Sequence, residues 1–549
     1  MSSSLNRLQS VILCAFILIF SSELQALAQV DFDWTSIPGS SNLSWVDCYT
    51  SPIQCTRLNV PLNYSELSAG EATLAVIRIP SLLNGTSSYR GPVLFNPGGP
   101  DMSGVDTIVQ MGAQIASVIG PEFDLVGFDA RGVSNSVPLI SFFKNDAERA
   151  AFDLGPDVTD ATARPGVLPS QWAQFQVFGH LAQDRDDGFL SHVTTDNVAR
   201  DMLTIVEAHG QSKLRYWGIS YGTVLGATFA SIFPDKVERL IIDGVFDVEG
   251  YYATDWSNEL VDTDKVFQEF INGCFNAGPE ACAFYDNSTA AISKNIDSLY
   301  KQVLAQPAVA YAPSLPQYGI VDQATLKLAI FAALYTPYSS FAPLAQGLAD
   351  LTKGNGSALL QMASSSVGEI VAAVACSDGQ PVTDDATALE RYAQRISNIS
   401  SFSSDIVTLR TLCSARSLTV SKEAGVYTQT TSRACPIGGK TSFPLMLIGN
   451  TADPVTPLAA ALNTSKLFPG SVVLTQDSPG HTSFTSPSEC TLGYVQRYFQ
   501  NGTMPPAGTV CPVTANLFPL ASNMSTKREP ASNDPLSDVV LALRSSYRN

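Results

Sequence analysis

The sequence predicts an α/β fold: a mostly parallel central sheet flanked by helices, with an inserted helical cap. Three observations predict it. Short apolar runs alternate with helical patterns, and strands separated by helices pair in parallel with both faces covered. Each run ends in a Gly-rich or polar turn. The strand signal then fades between about 250 and 425 and resumes near 444.

The elements follow in chain order. Residues 74–79 are apolar and partly β-branched, and Pro80 ends them, which reads as a strand. Residues 92–95 precede Asn96-Pro97-Gly98-Gly99-Pro100. Residues 123–128 precede Asp129-Ala130-Arg131-Gly132. A helical pattern spans 198–209. Residues 214–217 precede Gly218-Ile219-Ser220-Tyr221-Gly222, and 223–233 form the next helix. Residues 240–242 precede Asp243-Gly244. In such sheets ligands sit at the carboxyl ends of the strands, where these turns lie. Beyond 250, Ile292, Ile296, Leu299 and Val303 recur at helical spacing, as do residues within 261–275, 324–334 and 389–396. Strand character returns at 444–448 and 472–474. The expected organisation is a signal peptide at 1–28, a first core part at 29–249, a helical cap at 250–425, a second core part at 426–520 and a polar tail at 521–549, with a short helix near 539–543.

The 549 residues carry 50 Asp+Glu against 32 Lys+Arg, a net charge of -18. That balance argues against nucleic acid, because phosphate binding needs clustered cations. An acidic surface keeps a secreted protein soluble. Arg7, the apolar run 11–20 and Ala26-Leu27-Ala28 form an export signal with cleavage after Ala28. The run is too short for a membrane span, which takes roughly 20 residues. Asn-x-Ser/Thr acceptor patterns stand at Asn42, Asn63, Asn84, Asn287, Asn355, Asn398, Asn463, Asn501 and Asn523. Nine cysteines follow the signal. Cys48/Cys55, Cys274/Cys282 and Cys490/Cys511 suggest local disulfides, while Cys376, Cys413 and Cys435 compete for one more. There is no Cys-x-x-Cys pair and there are four histidines, so no metal and no cofactor is expected.

Gly218-x-Ser220-x-Gly222 fits a sharp strand-to-helix turn that presents a serine nucleophile, the glycines permitting close backbones. With 38 glycines the pattern alone is weak; the strand before it and the helix after it give it weight. A serine needs a base. In the chain order Ser, acid, His, only His481 qualifies; His180, His192 and His209 precede the serine. Asp453 follows a strand between the two and is the expected acid, with Asp477 its rival. The oxyanion donors expected are the N–H of Tyr221 and that of Gly99, with Gly98 as alternate.

These stretches, together with residues 45–61, Asp243-Gly244, Cys376-Ser377-Asp378, Asp453-Pro454-Val455-Thr456-Pro457-Leu458 and Gly480-His481-Thr482-Ser483, run through nearly the whole mature chain in one order. As a set they resemble the tripeptidyl-aminopeptidase-like branch of the proline iminopeptidase family, serine peptidases of the α/β-hydrolase fold. The resemblance implies Ser220, Asp453 and His481 as a catalytic triad and a C-terminal segment that completes the hydrolase domain. It also implies a departure: the family continues its oxyanion loop with glycines, where this chain has Asp101-Met102. Asp101 adds charge beside the site, to repel an oxyanion or to bind a substrate amine. Residues 133–135 depart similarly, with Val133-Ser134-Asn135 where glycine is common.

The expected activity is that of a secreted exopeptidase acting on peptide N-termini through an acyl-enzyme. A carboxylesterase, or a hydrolase of a secondary metabolite with the same triad, is the alternative, and a binding protein on a retained scaffold is a third reading. The expected partner is a peptide or small-molecule substrate, with no nucleic acid and no membrane after signal removal. An aminopeptidase must recognise a free ammonium, and Asp101, Glu259, Asp262 and Asp378 are the candidate carboxylates.

Overall fold

A computed structural model describes residues 32–153, 166–311, 318–363, 368–415 and 437–519. The expected export signal, Cys14, Cys435, Asn523 and the expected tail helix lie outside the described residues.

Among the described residues seven strands precede the insertion: β1 (Val46–Asp47), β2 (Gln54–Pro61), β3 (Glu71–Ile79), β4 (Gly91–Asn96), β5 (Phe123–Phe128), β6 (Leu214–Ile219) and β7 (Val237–Asp243). Inside it, β8 (Ala308–Ala310) and β9 (Gly319–Val321) make a small ribbon of their own. β10 (Met446–Ala452), β11 (Val472–Pro479) and β12 (Val510–Pro512) follow. Among the described residues one sheet has the order β1-β2-β3-β5-β4-β6-β7-β10-β11-β12. The pairs from β1 to β5 on that edge are antiparallel. All pairs from β5 across to β12 are parallel.

The chain runs from β4 outward to β5, then returns to place β6 on the other side of β4. That reversal opens a crevice at the carboxyl ends of β4 and β6, the usual ligand position in open α/β sheets. The Gly98 and Ser220 turns leave the sheet there.

Both faces of the sheet are buried, which is why its strands read as continuous apolar runs. All six residues of β4 are buried. The period of two divides them: Leu94 joins Val126, Tyr216, Leu240 and Ile242 under the helices Thr195–Ala208 and Tyr221–Ile232. Val93 and Phe95 join Leu125, Trp217 and Ile241 under the helices Gly104–Ile119 and Glu489–Asn501.

Between β7 and β10 the helices Thr263–Ala277, Thr289–Ala305, Gln323–Tyr335 and Pro337–Leu351 share a separate core that includes Phe270, Leu299, Ile330 and Phe341. Two segments cross the boundaries expected from sequence. Phe518, near the end of the second core part, packs into this insertion core beside Phe270 and Phe341. The helix Val167–Arg185 lies within the expected first core part, yet its Leu168 packs with Leu389, Ile396 and Val407 of the insertion. The physical reason is that this helix is apolar on two faces. Phe175, Phe178 and Ala182 face the sheet core, while Leu168, Trp172 and a buried Gln171 bonded to Thr408 face the insertion.

Among the described residues there are four disulfides: Cys48–Cys55, Cys274–Cys282, Cys376–Cys413 and Cys490–Cys511. The third decides the competition left open by the sequence and ties the helix Glu369–Asp378 to Ser404–Cys413. Among the described residues no helix is long and apolar enough to cross a membrane.

Candidate active site

Ser220 ends the turn after β6 with φ 56° and ψ −126°. A non-glycine residue held at positive φ costs on the order of 1–3 kcal/mol and persists only where its surroundings over-determine it. Here they do. The Ser220 N–H donates to the Asp243 carbonyl at 3.0 Å, and Thr223 donates to the Ser220 carbonyl through N–H (2.8 Å) and hydroxyl (2.6 Å). The flanking glycines are required by space. A Cβ on Gly218 would stand 2.4 Å from the Gly222 carbonyl oxygen, and one on Gly222 2.8 Å from Asn96 Oδ1. The helix Tyr221–Ile232 starts at once, so the Tyr221 N–H opens it and lacks an intrahelical partner.

The loop after β4 lies against this turn. Gly98 has φ 98°, and a Cβ there would fall 2.8 Å from Ser220 Cβ and 3.2 Å from Tyr221 N. The Gly98 N–H donates to Asn96 Oδ1 at 3.0 Å, so it is engaged within its own loop. Asp129, buried after β5, anchors the far end of the loop by accepting from the Ser103 hydroxyl (2.6 Å) and the Val105 N–H (3.1 Å).

Asp453 follows β10 and is fully buried. Its Oδ1 accepts the N–H groups of Val455 (3.0 Å) and Thr456 (2.9 Å), and its Oδ2 accepts that of Thr482 (2.9 Å). Both oxygens lie 3.1 Å from His481 Nδ1. A carboxylate only accepts, so Nδ1 carries the proton and Nε2 is left as the acceptor. The side chain of His481 is 12% exposed, which leaves it reachable.

Several groups missing from the sequence reading hold this histidine. Thr456 Oγ1 lies 3.0 Å from Nδ1. Asn450 Nδ2 donates to the carbonyls of Gly480 (2.8 Å) and Thr482 (2.7 Å). The His481 N–H donates to the Tyr335 carbonyl at 2.8 Å, and the Tyr335 ring packs edge-on against the imidazole. Asp243 accepts the Ser483 N–H (2.9 Å) and hydroxyl (2.5 Å). Burial pushes the Asp243 carboxyl up to about 6 against these bonds. The Asp-Gly pair after β7 was the one sequence signal for it, and that signal carried no role.

The rivals lie elsewhere. Asp477 is exposed and accepts from Thr451 Oγ1. His209 Nδ1 bonds to the Ile205 carbonyl at the end of its helix, and His180 is exposed on the helix Val167–Arg185.

The four candidate amine binders separate. Asp101 is exposed, with Oδ2 3.3 Å from the point where a Cβ on Gly368 would stand, so it lies between the Gly98 loop and the insertion. Glu259 is 1% exposed; its Oε1 accepts the Asp247 N–H, and its Oε2 is buried without a partner. Burial first, then the charges of Asp247 and Asp453, push it well above the ordinary glutamate range. Asp262 is half-buried and is raised by burial, with Lys265 opposing and Asp453 adding. Asp378 does not stand free for a substrate amine. Its carboxylate accepts from Thr195 N–H (2.8 Å), Thr195 Oγ1 (2.6 Å) and Tyr251 OH (2.8 Å), which occupies three of its roughly four acceptor positions.

Residues 401–511 match a family model described as TAP-like protein. Serine protease Hip1 of Mycobacterium tuberculosis is 28% identical over 498 residues, covering 85% of this chain and 91% of that protein. Carboxylesterase B of the same species is 30% identical over 498 residues, covering 85% and 89%. Tripeptidyl aminopeptidase of Streptomyces lividans is 34% identical over 239 residues, 42% of either chain.

Proposed function

The chain belongs to the TAP-like family of α/β-hydrolase-fold serine hydrolases, and from that premise we propose that it is an exported exopeptidase that removes residues or short peptides from peptide N-termini. The observation that carries the reading is the buried Asp453 carboxylate holding His481 Nδ1 with both oxygens at 3.1 Å, on a loop tied through Asp243 to the Ser220 turn.

In the proposed reaction Ser220 Oγ attacks the scissile carbonyl carbon while His481 Nε2 takes the hydroxyl proton. Asp453 keeps the tautomer and stabilises the imidazolium that forms. The oxyanion is met by the N–H groups of Tyr221 and Gly99, because that of Gly98 is engaged with Asn96. Collapse breaks the C–N bond as His481 returns the proton to the leaving amine. Water, deprotonated by His481, then releases the acyl group and restores Ser220.

The restriction to chain ends is supported by the insertion, whose Tyr335 sits on His481. Recognition of a free ammonium is supported by Glu259, Asp262 and Asp101 around the site, and by the unpartnered Oε2 of Glu259 in particular. Export is supported by the four disulfides. Of the acceptor asparagines in the described residues, Asn42, Asn84, Asn287, Asn355, Asn398, Asn463 and Asn501 are exposed and Asn63 is half-buried, which supports a glycoprotein.

The likeness to carboxylesterase B favours one second reading, an esterase with the same triad. Tripeptidyl and aminoacyl anilides, assayed beside short-chain p-nitrophenyl esters, separate the two. Anilide cleavage that requires a free N-terminus is the result expected. Ester cleavage with no anilide cleavage sinks the peptidase reading.

A further inference from the structure

Tyr221 is held at both ends. Its backbone follows Ser220 and supplies one proposed oxyanion donor; its ring is 4% exposed, and its hydroxyl bonds to Thr195 Oγ1. Thr195 is fully buried at the start of the helix Thr195–Ala208. Its hydroxyl proton goes to Asp378 Oδ2 at 2.6 Å, since a carboxylate accepts only. The Tyr221 hydroxyl is therefore the donor to Thr195. A directed chain results: Tyr221 O–H to Thr195 O–H to the Asp378 carboxylate. Hydrogen bonds in series that end on a charge polarise one another.

Asp378 belongs to the insertion, not to the sheet core. It ends the helix Glu369–Asp378, two residues after Cys376, whose disulfide to Cys413 fixes that helix to its neighbour. The segment beyond is joined to residues following β7: the Gln380 N–H donates to the Tyr252 carbonyl, and Thr254 Oγ1 donates to the Gln380 carbonyl at 2.8 Å. Tyr251 OH adds a further donor to Asp378 Oδ2 at 2.8 Å. The Thr195 N–H, one of the unpaired donors at its helix start, closes on Asp378 Oδ1 at 2.8 Å.

We infer that Asp378 is a positioning residue: through Thr195 it fixes Tyr221, so that the seating of the insertion on the core sets the alignment of the oxyanion donor beside Ser220. The inference rests on the reading of Ser220 as nucleophile. It assigns to Asp378 a role other than substrate binding.

The test uses the whole chain with Asp378→Asn, Thr195→Val, Thr195→Ser and Tyr221→Phe. The active fraction of each is counted by fluorophosphonate titration of Ser220, and kcat and KM are measured on a p-nitrophenyl ester and a peptide anilide. A misplacement on the order of 1 Å costs about 100-fold in rate. The expected result is a fall of roughly 10- to 100-fold in kcat per titrated site for Asp378→Asn, Thr195→Val and Tyr221→Phe, with KM within about three-fold. Binding of a substrate-like boronic acid should weaken in the same proportion. Thr195→Ser, which keeps the hydroxyl, should recover most of the rate, and Tyr221→Phe combined with Asp378→Asn should lose no more than either alone. A lower melting temperature or active fraction with unchanged kcat per titrated site would overturn the inference and leave Asp378 a structural residue. Failure of wild-type Ser220 to label would instead overturn the reading beneath it, so the two failures are distinguishable.

Discussion

The Asp243 carboxylate accepts the Ser483 N–H at 2.9 Å, and so fastens the strand beside the Ser220 turn to the loop that bears His481. The same residue's carbonyl accepts from Ser220 N–H. Asp243→Ala leaves two buried donors of Ser483 without a partner, each costing about 1–3 kcal/mol. A lower melting temperature and a fall of roughly 10-fold or more in kcat per active site are expected, by analogy with about 100-fold for a 1 Å misplacement. Asp243→Asn keeps an acceptor and should restore much of both. Unchanged kcat in Asp243→Ala would mean that the two loops hold their register without it.

The roles proposed for Ser220 and Asp453 are tested together. Ser220→Ala should abolish fluorophosphonate labelling. Asp453→Asn should leave the loop in place through its remaining oxygen yet favour the wrong imidazole tautomer, lowering kcat by about 10⁴ at most. A loss under about ten-fold would exclude Asp453 as the acid that orients His481.

Thr456 stands 3.0 Å from the same His481 nitrogen that faces Asp453. Thr456→Val keeps the shape and removes the hydroxyl, so the ring keeps its carboxylate but loses one restraint on its tilt. One hydrogen bond of this kind is worth about 0.5–1.5 kcal/mol. The fall expected in kcat is roughly 3- to 10-fold with KM unchanged, read on the p-nitrophenyl ester. A rise in KM alone would place Thr456 in substrate contact instead.

How much of this was legible in the sequence follows from how local each signal is. The tight turn at Ser220 is legible because it needs glycine on either side and stands between a strand pattern and a helix pattern, all adjacent in sequence. Asp453 and His481 were legible by order, each in a polar turn after an apolar run. Asp243, Asn450 and Tyr335 were not. The role of Asp243 arises because β7 and β10 are neighbours in the sheet although roughly 200 residues separate them, that of Asn450 because β10 lies beside β11 and its loop, and that of Tyr335 because the insertion returns to touch the histidine loop. The helix Val167–Arg185 was placed with the core alone for a related reason: two apolar faces on one helix give no sign of which neighbour each will meet. Asp378 reads in the sequence as a candidate for a substrate amine because the partners of its oxygens come from residues more than a hundred positions away.

Asp196 gives a test of stability against pH. Burial, then the nearby Asp378, push its carboxyl up to about 7, with Arg200 opposing. A folded pKa above the unfolded one favours the protonated form, so this stabilisation is complete below about pH 4 and is lost as pH rises through 7. Asp243 and Asp378, each pushed up to about 6, act in the same direction. Asp196→Asn mimics the protonated group. Its melting temperature should exceed wild type slightly at pH 5, where the unfolded carboxyl is already mostly ionised, and by more at pH 8, by a few degrees at about 2 °C for each kcal/mol in a chain of this size. Equal melting temperatures at both pH values would show that Asp196 is ionised in the folded protein at no cost.

Asp101 decides between two uses of the proposed oxyanion loop. An exposed carboxylate between that loop and the insertion either repels the developing oxyanion or binds a substrate ammonium. The two effects differ in which substrates feel them. Repulsion acts on every acyl substrate, so Asp101→Asn would raise kcat for esters and anilides alike. Ammonium binding acts only where a free N-terminus is present, and an exposed ion pair is worth up to about 1 kcal/mol, or roughly five-fold. The proposed aminopeptidase activity therefore predicts that Asp101→Asn raises KM several-fold for an anilide with a free N-terminus, and leaves its N-acetylated form and the p-nitrophenyl ester unchanged. An equal gain in kcat on all three would assign Asp101 to repulsion. That outcome would leave Glu259 and Asp262, both close enough to feel the Asp453 charge, as the remaining acids for the amine.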